Sequence, residues 1–156
     1  MQTKTYERVI DWLQSYQWDE DKDDMIKLYD NLILEELWEM KEAALSLDIV
    51  EYLDWLWDTL WVAIIYSYLS WIIPEIYIIE ELSWTCNYDG KWNSEIELSI
   101  IDELINVIAD SNYTKIKDKQ IEWEKKGKII KWPNFVPPTE WIKKIIEKYN
   151  ITFITE

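Results

Sequence analysis

Residues 34–58, LEELWEMKEAALSLDIVEYLDWLWD, decide how this chain folds. Leucine, methionine, alanine and tryptophan recur at helical spacing on both sides of a short SLD segment, which predicts two helices joined by a tight turn. Asp48, at the end of that segment, is a suitable N-cap for the second helix. Each helix carries two carboxylates three residues apart, which are Glu36 with Glu39 and Glu51 with Asp54. The stretch therefore predicts a helical hairpin that holds negative charge near its apolar face.

The rest of the chain continues the helical pattern. With two glycines and four prolines, it has little material for the turns of a many-stranded sheet. Pro74 is expected to end or kink the third helix, a Ser94-x-x-Glu97 capping box to open the fourth, and Thr139 to cap the last. Apolar periodicity predicts five helices, over about 4–16, 24–45, 49–73, 94–110 and 139–149.

Two segments carry weaker signals. Residues 75–93 are compatible with helix or strand and include a turn signal at Asp89-Gly90, and Gly127 marks a second turn in a lysine-rich stretch. A length of 156 residues suits one domain, and no linker is visible. We predict a single all-α domain over 1–156, like a four-helix bundle, with its core in about 4–115 and an irregular C-terminal segment over 116–156.

The net charge of −15 is concentrated in the first half of the chain. Residues 1–86 carry 19 acidic and 5 basic side chains, whereas residues 87–156 carry 12 and 11. An acidic front half repels nucleic acid and anionic membranes, so neither is an expected partner. The same charge attracts divalent cations, and a polyanionic substrate can follow them.

Residue types that are absent exclude several chemistries. There is no histidine, which excludes Ser-His-Asp and Cys-His catalysis and ordinary zinc sites. A lone Cys86 cannot form an intramolecular disulfide and fits a reducing compartment, so a cytoplasmic location is expected. The uncharged run 59–74 is short for a bilayer span and follows three acids on the same helix, which favours a buried helix over a membrane anchor.

The paired carboxylates are costly if nothing neutralises them. Two like charges about 5 Å apart repel by roughly 3 kcal/mol at an effective dielectric near 20. Lys41 is the only basic residue between Lys27 and Lys91. Either the acids take up protons or a cation lies among them, and all-oxygen ligands favour Mg²⁺ or Mn²⁺. A single Glu-x-x-Glu is common on solvated helices; two such pairs on consecutive apolar helices are what indicate a metal site.

Motifs along most of the chain resemble the all-α nucleoside triphosphate pyrophosphohydrolase superfamily, the MazG-like and phosphoribosyl-ATP pyrophosphohydrolase-like proteins. Its hallmark, Glu-x-x-Glu on one helix and Glu-x-x-Asp on the next, matches both acid pairs here. SNYTK (111–115) is similar to the Asn-x-x-Lys at the end of the family's fourth helix. GKIIKWPNFVPP (127–138) is similar to the tail of bacteriophage-type members, which would act in the cytoplasm of a bacterial host.

The resemblance implies an enzyme that cleaves a nucleoside triphosphate between the α and β phosphates, giving a monophosphate and pyrophosphate. It implies a Mg²⁺ ion that bridges the phosphates and lowers the pKa of an attacking water. The ligands of this ion would be Glu36, Glu39, Glu51 and Asp54. Because histidine is lacking, Glu35 or Glu39 would take the proton of that water, with Asp58 as a further metal ligand or water-orienting group. The substrate-binding residues would be Asn112, Lys115, Lys128 and Lys131, although solvated lysines explain the last two equally well.

Other interpretations stay open at this point. Trp12, Trp38 or Trp55 could stack on a nucleobase, but aromatics at helical spacing are more often core or subunit contacts. The family's bundle is completed by another subunit, so a homodimer or homotetramer is expected, with the apolar 59–73 helix as its contact. The alternatives to an enzyme are a non-catalytic nucleotide-binding or helical interaction module derived from this fold, and a purely structural acidic bundle.

Overall fold

The computed structural model describes residues 2–17, 21–72, 86–87, 94–114 and 135–154. Within these ranges the chain is almost entirely helical, which confirms the predicted all-α class. The turn predictions at Asp89-Gly90 and Gly127 lie outside the described residues. The elements are α1 (Gln2–Gln17), α2 (Lys22–Leu45), α3 (Ile49–Ser70), β1 (Cys86–Asn87), α4 (Ser94–Tyr113), α5 (Thr139–Tyr149) and β2 (Thr152–Phe153).

Helix α3 is the centre of the packing. It contacts each of the other four described helices, and its most extensive partner is α2. Its sequence has no basic residue and is apolar on nearly every side, so residues on several faces are buried, among them Tyr52, Leu53, Leu56, Trp57 and Ile65. In the apolar second half of α3, residues 61–63 and Ile65 are buried, and residues 66–70 are half-buried. No helix in the described ranges is long and apolar enough to cross a bilayer.

The helix starts agree with the sequence in one case and differ in another. Asp48 caps α3 as predicted, because its carboxylate accepts a hydrogen bond from the Glu51 amide at 3.1 Å. Thr139 does not cap α5: Pro138 occupies the N-cap without a side-chain hydrogen bond, and Thr139 is the first helical residue. Proline fits there because its fixed φ is already close to helical.

Three helices end in a residue with left-handed backbone geometry, and none of the three is glycine. They are Leu47 (φ 57°), Trp71 (φ 61°) and Asn150 (φ 50°). Trp71 stops α3 at Ser70, four residues before Pro74, so the expected proline stop is not the end of that helix. At Leu47 the Asp48 amide donates to the Ala43 carbonyl at 3.0 Å, which is the Schellman pattern that satisfies the last carbonyls of α2.

The C-terminal region adds to the core instead of trailing from it. Ile142, Ile145 and Ile151 are buried in the same hydrophobic cluster as α3, so the core extends beyond the expected range of about 4–115. The two short strands pair antiparallel, Cys86 with Phe153, and the Phe153 ring packs edge-on against Tyr52 at 5.4 Å between centroids. These contacts fix the end of the chain against the central helix.

Candidate metal and substrate site

The core-facing side of α2 changes from apolar to acidic over one turn. Leu32 and Ile33 are buried on this side, and Met40 is buried again further along. Glu36 and Glu39 fall between them at the three- and four-residue spacing that keeps side chains on one face. Both glutamates are half-buried. They therefore occupy positions at which the helix would otherwise continue its contact with the core.

Helix α3 shows the same change in its first half. Glu51, Asp54 and Asp58 follow one another at spacings of three and four, and all three are half-buried. The stripe then continues through Val62 and Ile65, both buried. The acids thus lie on a line that becomes core one turn later, as the sequence predicts for a second acidic stripe.

The turn between the helices sets the relative height of the two acid pairs. Because α2 and α3 pack along their length with a link of only three residues, they run antiparallel. Residues equally distant from Leu47 then lie at about the same height along the pair, at 1.5 Å per residue. By this count Glu36 is level with Asp58, and Glu39 lies within one residue, about 1.5 Å, of the level of Asp54.

The carboxylates share a region without converging on one point. Among the described residues, no three Asp, Glu or Cys side chains come close enough to hold a metal ion. Glu35 is also half-buried, about a quarter turn from Glu36 around α2. The donor chemistry, carboxylate oxygen throughout, fits a hard divalent cation. A three-ligand site requires these side chains to turn toward one another.

Asn112, a predicted substrate ligand, is linked to helix α3 through Trp12. Its backbone carbonyl accepts a hydrogen bond from Trp12 Nε1 at 3.0 Å. The Trp12 ring packs edge-on against Trp61 at 5.4 Å, and Trp61 lies one turn beyond Asp58 on α3. Asn112 is only 2% exposed, and its side-chain Nδ2 finds no acceptor among the described residues. A buried donor without an acceptor is uncommon in folded proteins.

Two hydroxyls beside Asn112 hold the segment that precedes α5. Ser111 Oγ donates to the Val136 carbonyl at 2.8 Å, and the Val136 amide donates to Thr114 Oγ1 at 2.9 Å. Neither residue was predicted to have a role, although both belong to SNYTK. Their partner lies 22 to 25 residues away, a distance at which spacing carries no signal. The predicted substrate lysines Lys115, Lys128 and Lys131 lie outside the described residues.

The three candidate base-stacking tryptophans differ in exposure. Trp12 is buried, and its ring is packed against Trp61, which leaves no face for a base. Trp55 is half-buried, and Trp38 is 65% exposed. Stacking by Trp12 therefore does not fit the structure, whereas the other two rings have solvent-facing surface.

Comparison with known proteins finds no matching family model, no similar curated protein and no similar solved structure. The resemblance to pyrophosphohydrolases therefore rests on the sequence motifs alone.

Proposed function

We propose that this protein is a Mg²⁺-dependent nucleoside triphosphate pyrophosphohydrolase, with Mn²⁺ as a possible substitute. The observation that carries the proposal is the position of the acids. On both helices of one hairpin, half-buried carboxylates replace core residues at matching heights. Such positions are costly for charge unless the charge has a purpose. A cation held between the helices would offset that cost and bring a triphosphate to the site.

The chain's own residues divide the work in this proposal. Glu36, Glu39, Glu51 and Asp54 would hold the cation, with Asp58 as a further ligand or as the residue that orients the attacking water. A bound divalent cation supplies charge neutralisation of the phosphates and acidifies water. Glu35 or Glu39 would accept the proton as the water oxygen bonds to the α-phosphorus. The bond from that phosphorus to the bridging oxygen then breaks, and pyrophosphate leaves.

Asn112 and the lysines would serve the substrate. The buried Nδ2 of Asn112 is a hydrogen-bond donor that an oxygen of the substrate can satisfy. Lys115 follows it by three residues and would balance phosphate charge, and Lys128 and Lys131 would do so from the tail. Sequence similarity to the family motifs supports the same roles.

The test is pyrophosphate release from a panel of canonical, deoxy and modified nucleotides in the presence of Mg²⁺. We expect release from at least one of them and its loss in EDTA. Glu39→Gln should lower kcat by about 10³-fold, the scale for losing a general base or a ligand that positions one. Glu42→Gln is the matched control, because Glu42 lies on the same helix but is exposed. A folded protein inactive on the whole panel would contradict the proposal.

One observation favours a second candidate, a nucleotide-binding module without turnover. The described residues bring no three carboxylates together as a metal-holding group. Under this alternative, nucleotide with Mg²⁺ should raise the melting temperature while no pyrophosphate is released. Turnover that Glu39→Gln removes and Glu42→Gln preserves would exclude it.

A further inference from the structure

Helix α2 carries a row of exposed residues on the side away from the core. The row, named here the α2 outer stripe, consists of Lys27, Asn31, Leu34, Trp38, Lys41 and Leu45. Three of them are large apolar side chains with 64% (Leu34), 65% (Trp38) and 80% (Leu45) of their surface exposed. The spacing alternates between four and three residues, which is the 3.5-residue repeat of helices that pair as coiled coils.

This stripe is separate from the candidate site on the same helix. At 100° per residue, Trp38 and Lys41 lie on roughly the opposite side of α2 from Glu36. The apolar residues of the stripe therefore belong neither to the core nor to the candidate site formed by the hairpin acids. Exposed tryptophan and leucine aligned on one helix face are the signature of a surface that another protein covers.

The charges on the stripe select the orientation of a partner helix. Lys27 and Lys41 on the stripe, and Asp30 beside it, are exposed, and none makes an ion pair with another described residue. In a parallel, in-register pair of two α2 helices, each lysine would face its own copy. The spacing of the stripe, 4-3-4-3-4 residues, is the same in both directions along the helix. In an antiparallel pair, all six positions of one copy therefore still face stripe positions of the other. It places Lys41 of one copy opposite Asn31 of the other, with Asp30 alongside.

We propose that the α2 outer stripe is the contact between two copies of this chain, paired antiparallel about a two-fold axis. Leu34 of each copy packs against Trp38 of the other at the centre of the contact. On either side, Lys41 of one copy meets Asp30 of the second. This places the subunit contact on α2 and not on the predicted 59–73 helix, where Trp61, Val62 and Ile65 are buried in the core of their own chain. It leaves the acid-bearing face of the hairpin uncovered, so the inference does not depend on the proposed function.

The first test is the mass in solution of the full chain and of two tryptophan variants. The wild type should sediment at twice the 19.1 kDa chain mass at micromolar concentration. Trp38→Glu should weaken association by roughly 100-fold, as expected for a central aromatic contact. Trp71→Glu is the matched control, because Trp71 is 85% exposed but lies outside the stripe, and it should leave the mass unchanged. A monomeric wild type, or a dimer that Trp38→Glu does not affect, would overturn the proposal.

The second test is a charge exchange that distinguishes this contact from a loss of folding. Lys41→Asp and Asp30→Lys should each raise the dissociation constant about tenfold, because each creates two like-charge contacts per dimer. The double variant restores opposite charges and should recover association to near the wild-type value. Helical circular dichroism should be the same in all four proteins. Single variants that remain as dimeric as the wild type, or a double variant that is no better than either single one, would refute the antiparallel register.

Discussion

Two regions of this protein place carboxylates at partly buried positions, and they do so in opposite ways. Where α4 meets α5, Glu103 accepts hydrogen bonds from Lys148 Nζ and from the Tyr149 hydroxyl, the latter at 2.6 Å. In the α2–α3 hairpin, each acid instead has further acids one turn away on its own helix. The first arrangement neutralises a charge within the chain. The second places like charges one turn apart along each helix at the edge of the core.

The partners of Glu103 also shift its pKa. Burial alone would raise its pKa, but the hydrogen bonds from Lys148 and Tyr149 outweigh burial and lower the pKa of this carboxyl below its usual value of 4.5. The ionised form is therefore the stable one in the folded protein. Glu103, a single acid with a basic partner, therefore has a structural role. Its contribution to stability is a reference for that of the hairpin acids.

The largest expected effect is on the response of stability to Mg²⁺. If the hairpin acids hold a cation, wild-type protein should gain about 2.7 kcal/mol in free energy of unfolding when free Mg²⁺ is 100 times its Kd. Glu36→Gln with Asp54→Asn should abolish this gain. In EDTA the same double variant should be more stable than wild type by about 1–2 kcal/mol, because like charges have been removed. Urea unfolding with and without Mg²⁺ measures both.

The control for that experiment is Glu42→Gln with Asp23→Asn, which removes two exposed charges from α2. Its response to Mg²⁺ should match the wild type. A different result would contradict cation binding: Mg²⁺ does not change the stability of the wild type, yet Glu36→Gln with Asp54→Asn is more stable than the wild type. The acids would then form a purely structural acidic surface, and they would differ from Glu103 only in their effect on stability.

The second effect concerns Glu103. Lys148→Met should lower the free energy of unfolding by a small but measurable amount, since a charge-assisted hydrogen bond is lost at an exposed site. Lys144→Met on the same helix is the control, because Lys144 is exposed and has no ion-pair partner within hydrogen-bonding reach among the described residues. Thermal unfolding of both variants decides the matter: equal losses would mean that the pair with Glu103 contributes nothing.

A smaller effect should appear in the pH dependence. Because the pKa of Glu103 is lowered in the folded protein, its contribution is present above about pH 4.5 and is lost as pH falls through the folded-state pKa. The contribution should be less than about 1 kcal/mol after allowance for solvent screening. Unfolding curves between pH 6 and 3 should therefore converge for wild type and Lys148→Met at the acid end. A constant gap between the two would show that the lysine acts through packing.

The sequence was sufficient for the elements that depend on local pattern. All five helices lie where apolar periodicity placed them, and Asp48 caps α3 because N-capping involves residues only three apart. The presence of acid pairs on two consecutive helices was also visible in the sequence, whereas the described residues bring no three of these acids together as a metal-holding group. The contacts that the sequence did not predict are between residues far apart in the chain. Neither the pairing of Cys86 with Phe153 nor the hold of Ser111 on Val136 leaves a periodic signal.

Helix ends were harder to predict than helix bodies, because this chain ends helices without glycine. Trp71 adopts left-handed geometry before Pro74 is reached, and nothing in a tryptophan indicates that conformation. Whether carboxylates converge on a metal is likewise a property that sequence spacing does not predict. Spacing determines which face of a helix an acid lies on, whereas side-chain torsions determine whether three acids meet.

The smallest expected effect is a difference between two helix ends. One is the end of α2, in the hairpin, and the other is the end of α5, next to Glu103 and its partners. Both ends use a Schellman pattern with a left-handed residue, Leu47 in one and Asn150 in the other. Leucine in this conformation is strained by about 1–2 kcal/mol, whereas asparagine tolerates it. Leu47→Gly should raise the free energy of unfolding by about 0.5 kcal/mol, the relief of strain minus the greater entropy that glycine loses on folding. Little packing is lost, because Leu47 is 66% exposed. Asn150→Gly should change stability by less, and urea unfolding of the two variants measures the difference. A loss of stability in Leu47→Gly would mean that its side chain contributes more to the hairpin turn than its exposure indicates.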